Sequence, residues 1–560
     1  MKYKFAIASY LVLMVVIWSI ALFSGDGKAA FLVPEPKRDM ETIENTQNVS
    51  EAAVQVNMDI NRPASSKPSY MVYYGVLTDD VIELAKQYDV FIMHPRQADA
   101  TRAQVQEIRA AGTCVLGYIS IGEDLRTAGM TAEEMLADAR FTGDGTGPRT
   151  DPRPSGQTDL DGIDPMGEES SAGTGYASYY LDDNDYDGAP DFNINFKCAF
   201  TNIGDPAWYD VLDEMTLDGE DRVAGIREIL SHDYGRSLGC DGLFLDTIDT
   251  CAPNQFTEDD SPGRTRFEWT AGGVAVFLER LREEYPEHLV CQNRGLFFYN
   301  PYLPHYQCTP RKNVDFVMFE SYMLDSNQNI LYYDTYHADN KYNYAPKLIA
   351  EAARPDGFQV LSLGYAEGPE EFKLRDTLLG NSEVGMDILM EDLSEAQNEA
   401  GFSHYITDGS VTLANDFVLT HEETGDESPP VWSSVCNDPE IWPPTAPKSR
   451  VGIGQTEPAA GGMIVRWDVA TDKNDVSYTL YYQKEPFDFK ADPDLETARS
   501  ITLVPQVGEG YETDIASGAY PYQAYVRGLD RGEKYYFVIR AKDTNGNEEK
   551  NTVVLEDTPL

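Results

Sequence analysis

Short runs of apolar, β-branched and aromatic residues recur between residues 70 and 407, and each run is followed by a polar loop and an amphipathic segment of helical period. The runs predict eight strands, at 70–74, 90–94, 114–121, 242–248, 289–293, 314–321, 359–365 and 403–407. Helices are predicted between them at 79–87, 102–111, 207–215, 223–231, 270–284 and 369–379. Strands that are apolar on both faces and alternate with amphipathic helices are typical of a parallel sheet wrapped by helices. Eight such units predict an α/β fold, a (β/α)8 TIM barrel at 68–435.

A large insertion separates the third and fourth strands, at residues 124–239. Connections from strand to helix lie on the active-site face of such barrels, so we expect the insertion to overhang that face. A proline cluster at Pro443, Pro444 and Pro447 then indicates a domain boundary. Beyond it, residues 443–560 contain short alternating strands and turns, which predict a β-sandwich.

The chain begins with two lysines and an apolar run at 5–23, the pattern of an export signal over residues 1–30. The signal is either cleaved near Ala29–Ala30 or kept as a membrane anchor, since about 20 apolar residues span a bilayer. Residues 31–67 are polar and without a clear period, and we predict a disordered linker there. The expected location is outside the cytoplasm: secreted, periplasmic or on the cell surface.

The chain is strongly acidic, with 94 Asp and Glu against 44 Lys and Arg and a formal charge of −50. This excess argues against a nucleic-acid partner, because phosphate binding depends on clustered Lys and Arg. A salt-adapted surface, calcium sites or attraction of a cationic partner would each account for it. The excess is concentrated in the insertion, where 124–239 holds 25 acids and 8 bases, whereas 442–560 holds 19 and 13. That gradient favours an acidic groove for a partly cationic polymer.

Seven cysteines are widely spaced, and none forms the CxxC pair of a zinc site. In an exported protein, Cys240–Cys251 and Cys291–Cys308 are candidate disulfides. The alternative is that most of the cysteines are small buried apolar residues.

Several predicted strands end in a carboxylate or an amide: Glu123, Asp246, Asp249, Asn293 and Glu320. Catalytic groups of TIM barrels come from the carboxyl ends of strands. Glycoside hydrolysis needs two carboxylates that flank the scissile bond. The alternative is that these acids cap the helices that follow, above all at Asp249.

The insertion contains the sequence Asp183-Asn184-Asp185-Tyr186-Asp187-Gly188, which resembles the start of a calcium loop. The twelfth position is Ile194 and not the Glu that closes an EF-hand, so a solvated acidic turn is the alternative to calcium at Asp183, Asp185 and Asp187. No other metal or cofactor is expected. Nearby aromatic residues either stack on sugar rings or pack the insertion onto the barrel: Tyr176, Tyr179, Tyr180, Trp208 and Tyr209.

Taken in order, the motifs resemble glycoside hydrolase family 114, whose barrels are similar to endo-α-1,4-polygalactosaminidases. The matching stretches are 88–92 (YDVFI), 112–123 (GTCVLGYISIGE), 204–208 (GDPAW), 240–249 (CDGLFLDTID), 314–322 (VDFVMFESY) and 401–407 (GFSHYIT). The resemblance implies that Asp246 is the nucleophile and Glu320 the acid/base, with roles that could be exchanged. It also implies a substrate groove lined by Glu123, Asp249, Asn293, Tyr322 and Tyr74. The stretch 534–543 (KYYFVIRAKD) resembles a fibronectin type III module.

The sequence therefore predicts a monomeric, exported glycoside hydrolase that cleaves an α-linked amino-sugar polysaccharide. The alternative is a non-catalytic surface adhesin that binds polysaccharide, and three departures from the family motivate it. His94 precedes Pro95 where the family usually has an acid, Thr247 stands where Asn is common, and 71–75 (MVYYG) replaces a first strand that contains Trp.

Overall fold

The computed structural model describes residues 59–152, 160, 174–182, 186–257, 265–325, 335–421, 428–432, 451–508 and 520–560. Eight parallel strands form one sheet in chain order: β1 (Tyr70–Tyr73), β2 (Val90–Met93), β3 (Cys114–Ser120), β4 (Gly242–Asp246), β5 (Leu289–Asn293), β6 (Phe316–Glu320), β7 (Gln359–Tyr365) and β8 (Ser403–Thr407). The backbone N–H of Tyr74, just after β1, donates to the carbonyl of Val411 beyond β8 at 2.7 Å, so the two edges of the sheet meet. The predicted TIM barrel is confirmed, with all eight strands in the predicted order.

The barrel strands are buried on both faces, which is why their sequences are continuous apolar runs. Pairing aligns their carboxyl ends: Ser120 of β3 lies opposite Asp246 of β4, and Asn293 of β5 lies opposite Met318 of β6. Polar residues that end these strands therefore gather at one mouth of the barrel.

Helices cover the outside of the barrel, and threonines cap the first two. Thr78 accepts from the backbone N–H of Val81, and Thr101 forms a capping box with Gln104. The described α-helices are Asp79–Ala85, Arg102–Arg109, Ala132–Leu136, Ala139–Thr142, Pro206–Glu214, Ile226–Leu230, Asn254–Thr257, Gly272–Glu284, Thr335–Asp339, Ala345–Ala352, Leu374–Leu378, Met386–Ser394 and Phe417–Thr420. Shorter 3-10 turns lie at Leu125–Thr127, Ile248–Cys251, Glu268–Thr270, Leu296–Tyr299, Pro304–Cys308, Arg311–Asn313 and Glu370–Phe372, and π-helical turns at Asn340–Tyr344 and Glu395–Glu399. The helix predicted at 369–379 is a 3-10 turn followed by a short α-helix.

The described part of the insertion packs directly onto the barrel. A two-residue strand, Glu123–Asp124, pairs antiparallel with Ala199–Phe200. The indole N–H of Trp208 donates to the carbonyl of Ile121 at 2.7 Å. The five aromatic residues proposed for sugar stacking or packing are all buried, so they pack the insertion.

The C-terminal region is a β-sandwich of two four-stranded antiparallel sheets that share one apolar core. Its strands are β9 (Ile453–Ala459), β10 (Gly462–Trp467), β11 (Val476–Gln483), β12 (Arg499–Thr502), β13 (Gln506–Val507), β14 (Tyr522–Arg527), β15 (Tyr535–Asp543) and β16 (Leu555–Asp557). One sheet has the order β9-β10-β14-β13 and the other β12-β11-β15-β16. A short pairing of Val431–Trp432 with Ala470–Thr471 connects the end of the barrel to the sandwich.

The predicted disulfides are wrong. The six cysteines within the described residues are all free thiols, and five of them are buried. Cys240 and Cys251 lie at opposite ends of β4, a strand of five residues and about 16 Å, whereas a disulfide needs Cα atoms within about 7 Å. Cys291 lies within β5, and Cys308 lies in a turn beyond its end. The buried thiols act as small apolar core residues.

The N-terminal signal, residues 31–58, Cys436 and the proline cluster lie outside the described residues. Residues 59–67, which the sequence analysis assigned to the linker, contact the barrel. The backbone N–H of Asn61 donates to Asp241 at 2.7 Å, and Arg109 donates to the carbonyl of Asp59 at 2.6 Å. Among the described helices, none has the length and apolar character needed to cross a membrane.

Candidate active site

Asn293 joins the two carboxylates that were predicted to work together. Its side-chain N–H2 group donates to Asp246 Oδ1 at 2.9 Å and to Glu320 Oε2 at 2.7 Å. Both accepting oxygens are bonded to the same nitrogen, so they lie no more than about 5.6 Å apart, the sum of the two hydrogen-bond lengths. All three residues are the last of their strands, β4, β5 and β6, so the barrel register itself creates this arrangement.

Two tyrosines donate to the outer oxygens of the same pair. The hydroxyl of Tyr118 on β3 donates to Asp246 Oδ2 at 2.7 Å. The hydroxyl of Tyr365, the last residue of β7, donates to Glu320 Oε1. Each carboxylate oxygen of the pair therefore accepts a hydrogen bond from a side chain of the barrel.

Glu320 has a perturbed acidity. Burial, and then the negative charge of Asp246, raise the pKa of Glu320, and the bonds from Tyr365 and Asn293 only partly oppose this effect. A carboxyl group whose pKa is raised can hold a proton at a pH at which an ordinary carboxyl group is ionised.

Glu123 is a third acid beside the pair but is enclosed by protein. It is 2 % exposed, and its Oε1 accepts from Asn193 of the insertion at 2.8 Å. Its Oε2 has no hydrogen-bond partner among the described residues. Burial raises the pKa of Glu123 to about 8, the amide of Asn193 opposes the rise, and the charge of Asp246 adds to it. Glu123 is therefore enclosed where it meets Asn193, and its place in the substrate groove stays a prediction.

A Glu123→Gln variant should be more stable than the parent protein at alkaline pH. The folded state holds the Glu123 proton up to about pH 8, whereas the unfolded chain ionises near its ordinary value, so stability falls as pH rises between the two. We expect a gain on the order of 5 kcal/mol at pH 9 and almost none at pH 4. Urea unfolding at both pH values measures it, with exposed Glu283→Gln as the control. An equal effect at both pH values would contradict this account.

Asp249 and Tyr74, two further residues predicted to line the groove, have different surroundings. Asp249 accepts from Arg294 Nε at 2.9 Å and from the Gly295 backbone at 3.1 Å, so it anchors the loop after β5 instead of facing the pair. Tyr74 lies at the mouth, where the charges of Asp246 and Glu320 raise its pKa further after burial.

Tyr322 is buried among apolar residues, and its place in the substrate groove stays a prediction. It is 1 % exposed, and its ring packs against Phe319 at 5.2 Å and Phe402 at 5.5 Å. Side chains alternate along a strand, so Phe319 points away from the interior that Glu320 faces, and Tyr322 joins Phe319 in the layer under the helices.

Thr247 and His94 stand at two positions where the sequence departs from the family, and both side chains are buried. Thr247 has a φ of 64°, a left-handed conformation that Asn adopts more readily than a β-branched residue. Its hydroxyl donates to the Asp246 carbonyl at 2.6 Å and accepts from the Gly122 backbone at 2.8 Å. His94 is 9 % exposed, and burial, followed by the charge of Arg96, lowers its pKa to about 3, so it is neutral at physiological pH.

Tyr118, Tyr365 and Arg294 are the polar neighbours that the sequence analysis missed. Tyr365 ends its strand and Arg294 follows one, so the strand-end rule that identified Glu320 also applies to them. Arg294 donates to the backbone carbonyl of Glu320. Tyr118 is two residues before the end of β3 and on the same face as Ser120, a position recognisable only once the inward face is known.

The structure describes only one of the three candidate calcium ligands. Asp183 and Asp185 lie outside the described residues, and Asp187 accepts from the Ala189 backbone at 2.8 Å. Among the described residues, no group of three or more His, Cys, Asp or Glu is arranged to hold a metal ion. The calcium site stays a prediction.

Comparisons with known proteins find likeness in structure alone. No family model and no curated protein matches the sequence. The glycoside hydrolase domain of PelA from Pseudomonas aeruginosa aligns with 62% of this chain and 98% of its own, at 15% identity and a TM-score of 0.36. Trehalose-6-phosphate hydrolase (TreA) from Bacillus licheniformis aligns with 85% of this chain and 100% of its own, at 10% identity and a TM-score of 0.36. An α-amylase from H. orenii aligns with 86% and 100%, at 9% identity and a TM-score of 0.32. These neighbours are glycoside hydrolases, and the likeness concerns the fold.

Proposed function

We propose that this protein is a retaining glycoside hydrolase with Asp246 as the nucleophile and Glu320 as the acid/base. The observation that carries the proposal is the bridge from one Asn293 amide to both carboxylates. Carboxylates about 5 to 5.5 Å apart are typical of retaining glycosidases, whereas inverting enzymes leave room for a water between groups roughly 6.5 to 9.5 Å apart.

The environments of the two carboxylates support this division of roles. Glu320, whose pKa is raised, donates its proton to the glycosidic oxygen while Asp246 attacks the anomeric carbon. The Asp246 carboxylate accepts from Tyr118 and Asn293, and such bonds favour the charged form that a nucleophile needs. Glu320, now ionised, then takes a proton from the water that releases the sugar from Asp246.

The proposed substrate is an α-linked, partly cationic amino-sugar polysaccharide, similar to polygalactosamine. The resemblance of the strand-end motifs to glycoside hydrolase family 114 supports this choice. So does the insertion after β3, with 25 acids and 8 bases over 124–239, since a single-sign field concentrates a polymer of opposite charge. Export, a monomeric state and a fibronectin type III-like spacer role for the sandwich belong to the same proposal.

The test is a product analysis on partially deacetylated galactosaminogalactan and on neutral α-glucans. We expect oligosaccharides from the amino-sugar polymer, with the α-anomer formed first in proton NMR because two displacements retain configuration. The neutral glucans are the matched control for the role of substrate charge. Initial β-anomer would contradict the retaining mechanism, and glycan binding without any product would identify the adhesin instead.

A further inference from the structure

Three rings form a cluster beside Asp246 at the ends of β1, β2 and β3. The Tyr118 ring stacks on the His94 ring, with centroids 4.5 Å apart and planes 14° apart. Tyr74 meets both edge-on, at 5.4 Å from Tyr118 and 5.6 Å from His94. The cluster leaves the Tyr118 ring little freedom to turn, and its hydroxyl points at Asp246 Oδ2.

Asp246 is thus held at both ends of its carboxylate. Asn293 donates to Oδ1 at 2.9 Å, and Tyr118 donates to Oδ2 at 2.7 Å. Asn293 is shared with Glu320, whereas, within the part of the chain that the structure describes, Tyr118 donates to no carboxylate other than Asp246. A hydrogen bond to a charged carboxylate is short and about twice as strong as a neutral one, so the loss of the Tyr118 donor affects Asp246 selectively.

We propose that Tyr118 is a positioning residue, which keeps the Asp246 carboxylate ionised and in one orientation, and that the His94 ring holds Tyr118 in place. This role rests on the proposed function of Asp246 as the nucleophile. The same proposal gives a role to His94, which is buried and neutral. An uncharged imidazole can pack against the Tyr118 ring, and it adds no positive charge that would pair with the Asp246 carboxylate.

Other charged or titratable groups also act on Asp246 and do not change in the test. They are Tyr74 just after β1, Glu320 of β6, Tyr365 of β7 and Glu123 after β3. Burial and the charge of Asp246 raise the pKa of the Tyr118 hydroxyl well above its usual value, so it remains a donor throughout the working range.

Tyr118→Phe is expected to lower kcat about 10- to 100-fold with little change in KM, because the lost bond is to Asp246 and not to the sugar. The acid limb of the kcat/KM profile should move to higher pH, since the donor that favours ionised Asp246 is gone. His94→Ala should reproduce part of both changes, and His94→Phe, which keeps a stacking ring, should restore most of the activity.

Carbodiimide labelling of Asp246, followed by peptide mass spectrometry across pH, reads the same change without turnover. We expect the midpoint to rise in Tyr118→Phe. Tyr306→Phe is the matched control, because its hydroxyl also donates to a carboxylate, Glu351 Oε1, at 2.8 Å but far along the chain from β3 and β4. A labelling midpoint and an acid limb that are both unchanged in Tyr118→Phe would overturn the proposal. If the parent protein hydrolyses no glycan, the proposed function fails, and the labelling midpoint still decides whether Tyr118 supports ionised Asp246.

Discussion

Asp246→Asn and Glu320→Gln should each lower kcat on the polysaccharide by roughly 10²- to 10⁴-fold, the scale expected when a group that bonds or transfers a proton in the transition state is removed. The amides are close in shape to the carboxylates, so both variants should fold. Asn at 246 cannot form the glycosyl ester, and Gln at 320 has no proton to donate. Reducing-end assays measure the loss, with exposed Glu279→Gln as the control. Turnover in both variants equal to that of the parent protein would exclude this site.

The two variants should differ in a way that separates their roles. Activity falls with rising pH as Glu320 loses its proton, and its raised pKa puts this limb above the range of an ordinary glutamate. Glu320→Gln should abolish that alkaline limb. It should retain most of its kcat/KM on an aryl glycoside whose leaving group needs no proton, whereas its kcat should fall because the attack of water on the glycosyl ester still lacks its base. Asp246→Asn should be equally inactive on both substrates. The opposite pattern would exchange the assignments.

The sequence predicts the barrel, and the position of Asp246 and Glu320 at strand ends, because both follow from local rules. A strand buried on both faces must be apolar throughout, so eight such runs are visible without knowledge of any contact. An acid that ends such a run, as Asp246 and Glu320 do, lies at the mouth once the fold is known.

The hydrogen bonds around the two carboxylates could not be predicted from the sequence, because they depend on how neighbouring strands are aligned. The bridge from Asn293 to both carboxylates needs the register of β4, β5 and β6, and the donor Tyr118 needs the inward face of β3. The packing of Tyr322 against Phe402 could not be predicted either, because Tyr322 follows the strand end by two residues, where backbone direction and not alternation decides its environment. The disulfide predictions failed because short separation along the chain does not keep Cys240 and Cys251 close across the length of a strand.

At the opposite end of β4, Asp241→Asn should lower the free energy of unfolding by about 3 to 5 kcal/mol, the usual cost of leaving one member of a buried ion pair without its partner. Asp241 Oδ1 accepts from Arg109 Nη2 at 2.7 Å, and neither side chain has any exposed area. Its Oδ2 accepts from the Val115 backbone at 2.8 Å. Because Asp241 precedes the strand that Asp246 ends, the folded fraction of the variant should keep its kcat.

Urea unfolding of the full chain measures this loss, and a second Arg–Asp pair provides the comparison. Asp218 accepts from Arg236 at 2.7 Å, but its side chain is 71% exposed. Water already solvates such a carboxylate, so Asp218→Asn should cost less than about 1 kcal/mol. If the two variants lost equal stability, burial would not be the source of the effect. A fully folded Asp241→Asn protein with a lowered kcat would show that the two ends of β4 are coupled. TIM barrels usually keep the stabilising face apart from the catalytic face, and that separation would then not hold here.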